Sequence, residues 1–344
     1  MGTVQRFLYR KTAILSCFTL ISTCLLSCPY TATADNNWVE AKAECVMEQN
    51  SRRILYESQG DVRLPMASTT KIATAITVLD LCEDIGSELE IPEEAEGVEG
   101  SSVYLKAKEI YSVEDLLYGL MLRSGNDCAT ALALYCSGSI GDFSARMNAT
   151  AERAGALNTC FKNPHGLPCN GHYTTARDLS LISCYAMSNP TFRKIVSTHY
   201  YEPRHWKNKN KMLSVYEGGI GIKTGYTKEA GRCLVSAAER KGMTLICSVL
   251  NCSTTYERSV KLLDDAFSAY TNTKLLDKNE EIAFEANGRK AVGYSHEEFF
   301  YPLMEGETEQ LERRIIPVFE GEIVGQIQIF LAKRLLFSTN LYKL

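Results

Sequence analysis

The hydrophobic pattern of the chain changes from a helical to a strand spacing near residue 218. Several segments before this point, the clearest at 176–187, repeat apolar residues at the spacing of one helix face. The segments 218–225, 232–239 and 243–250 read instead as strands, the last two joined by a Lys241-Gly242 turn. A strand at 53–56 precedes the helices, and a closing helix is predicted at 256–270. Helices between an early strand and a late antiparallel set predict an α+β domain with helices around an antiparallel sheet.

A second, smaller domain is predicted at the C-terminal end. The composition becomes polar and charged across 271–280, and short apolar segments then alternate with Asn-Gly and Glu-Gly turns. This spacing of short strands is typical of a small all-β domain. We therefore expect a larger domain at 35–270 and a β-rich domain at 277–344.

The first 34 residues have the parts of a secretory signal peptide. A positive start with Arg10 and Lys11 precedes a mostly apolar stretch at 12–26, and Ala32-Thr33-Ala34 fits a cleavage site. The apolar stretch is shorter than the roughly 20 residues that span a bilayer, which favours a cleaved signal over an anchor. A lipid-attachment site at Cys28 is the alternative. We expect an exported protein that is extracellular, or at the cell wall or the outer face of the cytoplasmic membrane, with at most a loose association with the membrane surface.

Charge and cysteine usage argue against several other classes of protein. The formal net charge is -4 and no long basic run occurs, so nucleic acid is not an expected partner. The chain has no C-x-x-C pair, and its five histidines lack ligand spacing, so we expect no metal and no other cofactor. An even number of cysteines follows the signal, which leaves disulfides open. Five cysteines lie in apolar patterns and could be core thiols: Cys128, Cys136, Cys184, Cys233 and Cys247.

A serine and a lysine stand three residues apart at the start of an apolar helix, in Ser68-Thr69-Thr70-Lys71. Residues at this spacing share a helix face, so the hydroxyl and the amine can reach each other. A serine becomes a good nucleophile when a neighbouring base takes its proton, and a buried lysine with a lowered pKa can be that base. The Ser/Thr cluster is also expected to cap the helix.

Two further motifs follow in order. Ser124-Gly125-Asn126 falls in a predicted loop between two helices, and Lys223-Thr224-Gly225 falls on the glycine-rich strand. Each triplet alone is a weak signal. Three of them, in this order and each in a suitable element, predict a catalytic pocket.

With these motifs the chain resembles the serine-type D-alanyl-D-alanine carboxypeptidases, the low-molecular-mass penicillin-binding proteins. The resemblance extends to Asn163-Pro164-His165-Gly166-Leu167 and covers the mature chain. It implies a β-lactamase/transpeptidase-like three-layer catalytic domain followed by the small β domain. It also implies peptidoglycan stem peptides ending in D-Ala-D-Ala as substrates, and β-lactam antibiotics as covalent inhibitors.

The resemblance assigns roles to the first two motifs. Ser68 would be the nucleophile that forms the acyl-enzyme, and Lys71 would accept its proton. Ser124 would relay a proton toward the leaving D-alanine, and Asn126 would orient Lys71 and the substrate amide.

The resemblance also assigns roles to the third motif. Lys223 and Thr224 would bind the terminal carboxylate. Gly225 would let the substrate backbone lie close, and the backbone N–H of Tyr226 would complete an oxyanion hole with that of Ser68. Arg258, in the closing helix, would add positive potential near the carboxylate.

Three other functions compete with this interpretation. A serine β-lactamase would use Ser-Asp-Asn as the middle motif and a Glu in the loop, whereas 160–175 contains neither Glu nor Asp. A non-catalytic cell-wall-binding protein of the same fold would not need the intact motif residues. Endopeptidase activity on peptide cross-links is compatible with the same residues.

Overall fold

The computed structural model describes residues 41–286 and 288–343. The predicted signal peptide at 1–34 lies outside these residues. The helices of the described part are α1 Lys71–Leu81, α2 Val113–Tyr118, α3 Asn126–Ser137, α4 Ile140–Ala154, α5 Ala176–Met187, α6 Pro190–Ser197, α7 Met212–Val215 and α8 Thr255–Ala269. The strands up to residue 250 are β1 Ala43–Glu48, β2 Ile54–Ser58, β3 Glu88–Glu90, β4 Ile110–Ser112, β5 Tyr200–Tyr201, β6 Trp206–Lys207, β7 Gly219–Thr227, β8 Gly231–Arg240 and β9 Met243–Leu250. The later strands are β10 Tyr270–Leu276, β11 Glu281–Ala286, β12 Arg289–Ser295, β13 Phe299–Met304, β14 Leu311–Glu320, β15 Ile323–Leu331 and β16 Arg334–Tyr342.

The central sheet of the larger domain has the order β2-β1-β9-β8-β7, with antiparallel neighbours. Successive residues of a strand face opposite sides of a sheet. Cys45 and Val235 accordingly join the core formed with most of the helices, whereas Val46 and Leu234 pack toward α8. Helices on both faces of one antiparallel sheet make the predicted three-layer α+β domain.

Strand β7 lies at the edge of this sheet, beside the short 3-10 turn Ala67–Thr70 that precedes α1. The last residues of β7 pack against the backbone of that turn, as the surroundings of Gly225 demonstrate. The edge position leaves one side of β7 without a neighbouring strand of its own sheet. The fold thus places the third sequence motif alongside the first.

The C-terminal part of the chain is built from β-strands, as predicted. Strands β10 and β13 form a two-stranded pair, and a five-stranded sheet follows in the order β11-β12-β16-β15-β14. These strands share a separate core that includes Leu303, Ile327 and Leu341.

Several elements differ from the sequence-based predictions, among them strands β3 to β6 and helix α7, which were not predicted. The polar stretch 271–276 is part of strand β10, which pairs with β13, although its composition favours a linker. Thr271 and Lys274 are exposed there, so this part of the strand does not show the alternation of apolar residues that predicts a strand. Strand β12 and helix α6 were likewise not predicted.

Candidate active site

Ser68 lies in a single 3-10 turn, and α1 begins only at Lys71. The residue before Ser68, Ala67, has φ 50, a left-handed conformation that is uncommon outside glycine. The predicted capping role of the Ser/Thr cluster is wrong. Thr69 Oγ1 donates to Met66 O at 2.6 Å, and Thr70 Oγ1 is paired with a histidine ring instead. The threonine hydroxyls therefore bond to groups beside the turn, and no side chain caps the N-terminus of α1.

Two glycines let neighbouring segments close in on this turn. A Cβ on Gly166, whose φ is +89, would lie 1.9 Å from Ala67 O. A Cβ on Gly225 would lie 3.0 Å from both Met66 O and Ser68 N. Only glycine allows backbone to approach backbone this closely. The turn is held between the 163–167 loop and strand β7, with the N–H of Ser68 at the contact.

Lys71 is fully buried, and its amine has three close oxygen neighbours. Nζ lies 3.0 Å from Ser68 Oγ, 2.6 Å from Asn126 Oδ1 and 2.7 Å from the main-chain oxygen of His165. A neutral amine has two N–H donors and one lone pair. The amide and carbonyl oxygens can only accept, so they take the two donors and leave the lone pair for the hydroxyl proton of Ser68.

Electrostatics favour the neutral form of this amine. Burial lowers the pKa of Lys71 well below its ordinary value, and the nearby charge of Lys223 lowers it further. Burial and the charge of Lys209 lower the pKa of Lys223 to about 7. The expected repulsion between the two lysines does lower the pKa of Lys71, but burial lowers it more.

The second motif lies where the 119–123 turn meets α3. Ser124 is buried with φ 67, and Asn126 is the first residue of α3 rather than part of a loop. Asn126 Nδ2 donates to Glu99 O at 2.5 Å, which orients Oδ1 toward Lys71. Asp127 Oδ2 accepts from Ser102 Oγ at 2.5 Å, and this bond holds the adjacent loop.

The third motif runs along the edge strand. Lys223 is buried, and its Nζ donates to Thr224 O at 2.9 Å. Thr224 and Gly225 are partly exposed, and Tyr226 is 65% exposed. A buried ammonium therefore stands behind an accessible stretch of backbone, an arrangement that suits an anionic end group on an extended ligand.

Arg258 does not belong to this site. Its guanidinium forms two 2.6 Å bonds to Glu44, from Nε and Nη2. Helix α8, which carries Arg258, packs on the sheet face opposite α1. The sequence correctly places Arg258 in the closing helix, but only the topology reveals which face that helix covers.

Two groups at the site were not predicted as functional. The main-chain oxygen of His165 accepts from Lys71, and Lys209 acts electrostatically on Lys223. The N–H of Lys209 donates to Leu122 O at 3.1 Å, which brings its loop to the 119–123 turn. Neither a main-chain acceptor nor a lysine in a polar loop has a sequence signal of its own. Within 41–286 and 288–343, no group of three His, Cys, Asp or Glu side chains could hold a metal ion.

Comparison with known proteins agrees with this geometry. The family model for D-alanyl-D-alanine carboxypeptidase matches residues 30–254. The carboxypeptidase DacF of Bacillus subtilis is 33% identical over 71% of this chain and 66% of its own length. The D-alanyl-D-alanine carboxypeptidase of Streptomyces sp. strain K15 is 37% identical over 59% of this chain and 78% of its own. Penicillin-binding protein 5 of Haemophilus influenzae has a similar structure, with a TM-score of 0.75 and 26% identity over 90% of this chain and 98% of that one.

The chain belongs to the D-alanyl-D-alanine carboxypeptidase family of serine peptidases. The fold class, the family and the enzyme class predicted from the sequence are confirmed. The alignment with DacF spans slightly less than two thirds of that relative's length.

Proposed function

We propose that this protein removes the terminal D-alanine from peptidoglycan stem peptides through an acyl-enzyme on Ser68. The observation that carries the proposal is the bonding of Lys71, whose two acceptors and lowered pKa leave a lone pair facing the nucleophile. The hydroxyl proton passes to Lys71 as Ser68 Oγ attacks the carbonyl carbon of the penultimate D-alanine. The carbonyl oxygen gains the negative charge and is stabilised by the N–H groups of Ser68 and Tyr226.

Collapse of this intermediate breaks the peptide C–N bond. Ser124 relays the proton that Lys71 took from Ser68 to the leaving nitrogen, so that D-alanine departs as a neutral amine with its carboxylate. Asn126 orients Lys71 and the substrate amide relative to each other. Water then hydrolyses the ester: its oxygen bonds to the acyl carbon, the bond from that carbon to Ser68 Oγ breaks, and a proton from the water restores the hydroxyl as the shortened peptide leaves.

The terminal carboxylate would be bound by Lys223 and Thr224. Burial makes the Lys223 charge costly in the free enzyme, and a bound carboxylate offsets that cost. The same two residues would bind the carboxylate of a β-lactam. We propose that penicillins therefore acylate Ser68 as covalent inhibitors.

The N-terminal segment supports export to the cell-wall side of the membrane, where these substrates occur. No helix within the described ranges is long and apolar enough to cross a bilayer. We propose that residues 1–34 are removed as a signal peptide and that any membrane association is at the surface.

The decisive experiment compares several reactions of one preparation. D-Alanine release is measured from a pentapeptide and from a cross-linked dimer, each with and without an amine acceptor. The same preparation is tested for labelling by fluorescent penicillin and for turnover of a chromogenic cephalosporin. Ser68→Ala should abolish release and labelling, whereas the exposed Ser214→Ala should retain both. Rapid cephalosporin turnover would support a β-lactamase instead, and labelling that survives Ser68→Ala would overturn the proposal.

A further inference from the structure

A pocket adjoins the segment that leads into the Ser68 turn, since Leu64 and Pro65 line it. Its volume is about 390 Å³, and Arg63, Pro65, Cys169, Tyr173 and Glu229 are among its lining residues. We call it the hairpin pocket, because Glu229 lies in the turn between β7 and β8. None of the roles proposed above involves these side chains.

The hairpin pocket is joined to the catalytic turn by direct contacts. His172, which lines the pocket, has Nε2 3.0 Å from Thr70 Oγ1. Its Nδ1 accepts from Lys162 N at 3.0 Å, so Nε2 carries the ring proton and donates to Thr70. Leu64 and Pro65, on the opposite wall, lead directly into the turn that carries Ser68.

The direction of β7 determines which end of a substrate would reach this pocket. Lys223 and Thr224, the proposed carboxylate ligands, precede Tyr226, the proposed oxyanion donor, and Glu229 follows. A peptide with its carboxylate at Lys223 and its scissile carbonyl at Tyr226 must continue toward Glu229. Glu229 stands two residues beyond the end of β7, so the direction of the strand leads to the hairpin pocket. The pocket therefore lies where the residue preceding D-Ala-D-Ala would place its side chain.

Two opposite charges line the hairpin pocket. Arg63 stands over the Tyr173 ring at 4.8 Å, and its Nη2 donates to Asn158 Oδ1 at 3.0 Å. These contacts orient the guanidinium and use one of its five donors, which leaves others for a carboxylate. Glu229 supplies an acceptor for an amine. The remaining titratable ring, His172, is neutral at pH 7 because burial lowers its pKa to about 4.

We propose that the hairpin pocket binds a zwitterionic side-chain end, an amine together with a carboxylate, on the residue preceding D-Ala-D-Ala. This inference rests on the proposed function, since it takes the peptide direction from it. In peptidoglycan stems that residue is a diamino acid. One whose side chain ends in both groups meets Arg63 and Glu229 together, whereas lysine offers only the amine.

The test compares two pentapeptides that differ only at this residue, which is meso-diaminopimelate in one and L-lysine in the other. The wild type should favour the diaminopimelate peptide in kcat/KM for D-alanine release by about two- to fivefold, the value of one exposed charge pair. Arg63→Gln should bring the ratio of the two kcat/KM values close to one. Glu229→Gln should slow both peptides and leave an Nε-acetyl-lysine peptide unaffected. The matched control is Lys228→Gln, which changes a charge in the same turn but outside the pocket.

Both peptides are also compared as competitors of fluorescent penicillin labelling at Ser68. Competition reports binding even where no D-alanine is released, so absence of release would overturn the proposed function while the pocket remains tested. Equal potency and equal turnover of the two peptides in the wild type would overturn the pocket assignment. A preference that survives Arg63→Gln would overturn it as well.

Discussion

Arg53 and Glu307 form a two-pronged ion pair between the catalytic domain and the C-terminal β domain. Arg53 Nη1 and Nη2 donate to the two carboxylate oxygens at 2.9 and 2.5 Å. Nη1 also donates to Pro302 O at 2.6 Å, and the guanidinium lies 5.1 and 5.2 Å from the Tyr270 and Tyr301 ring centres. The two side chains are only 14% and 20% exposed, so water screens the pair poorly.

We expect Arg53→Ala to destabilise the protein by about 2 kcal/mol, because it strands a partly buried carboxylate and a main-chain oxygen. Calorimetry and urea unfolding measure the loss, and the contact between domains should weaken enough to separate their transitions. The control is Lys106→Ala, which removes an exposed pair with Glu96 and should leave the unfolding midpoint unchanged. Equal losses in both variants would contradict a special role for Arg53.

The pH dependence of kcat/KM should have two limbs set by the two lysines. At low pH, activity should rise as Lys71 loses its proton and becomes the base. Above the Lys223 pKa of about 7, activity should fall, because the neutral amine no longer attracts the carboxylate.

Lys209→Gln removes a charge that lowers the pKa of Lys223, so the falling limb should move to higher pH by about half to one unit. Lys211→Gln removes the same charge from an exposed residue of the same loop and should leave that limb in place. An equal displacement in both variants would indicate a net-charge effect and count against the role given to Lys209.

Asn126→Asp should disable the base: it keeps the size of the side chain, although it loses the donor to Glu99 O. A carboxylate 2.6 Å from Lys71 Nζ would favour the ammonium form, so the rising limb of the pH profile should move to higher pH. Penicillin acylation at pH 7 should fall about a hundredfold, measured by stopped-flow labelling. Asn148→Asp, on α4 and bonded to Phe161, tests the same replacement away from the site. An unchanged pH profile in Asn126→Asp would show that Asn126 does not control Lys71.

Gly225→Ala should displace the catalytic turn. The new Cβ would lie 3.0 Å from Ser68 N, so either the turn or β7 must move, and acylation should fall about ten- to a hundredfold. Gly141→Ala is the control, since its Cβ would meet only Ser139 Oγ at 3.8 Å. That helix substitution should be neutral or stabilising by up to about 1 kcal/mol. Normal acylation in Gly225→Ala would contradict the close approach of β7 to Ser68.

Periodicity predicts most of the catalytic domain, because its elements bury one face each. Helix α5 has the predicted bounds of 176–187, and β9 has those of 243–250. Short or polar elements were missed for the opposite reason. Strand β10 pairs with β13 through backbone bonds while Thr271 remains exposed, so its side chains give no apolar alternation.

The site divides in the same way. The motifs predict that the side chains of Ser68, Lys71 and Asn126 interact, and the structure brings them into contact. The placement of Arg258 depends on which sheet face α8 covers, and that is a property of topology. The left-handed Ala67 depends on tertiary contacts with Gly166, which no local pattern encodes.

The bond from Lys71 to His165 has a consequence for how this enzyme can change. The acceptor is a main-chain oxygen, so any residue at 165 that keeps the backbone path supplies it equally well. The imidazole bears on that acceptor only through the loop, where its Nδ1 accepts from Leu167 N at 3.2 Å. A different side chain at position 165 that preserves the loop would therefore change the surroundings of Ser68 while leaving the main-chain acceptor of Lys71 in place.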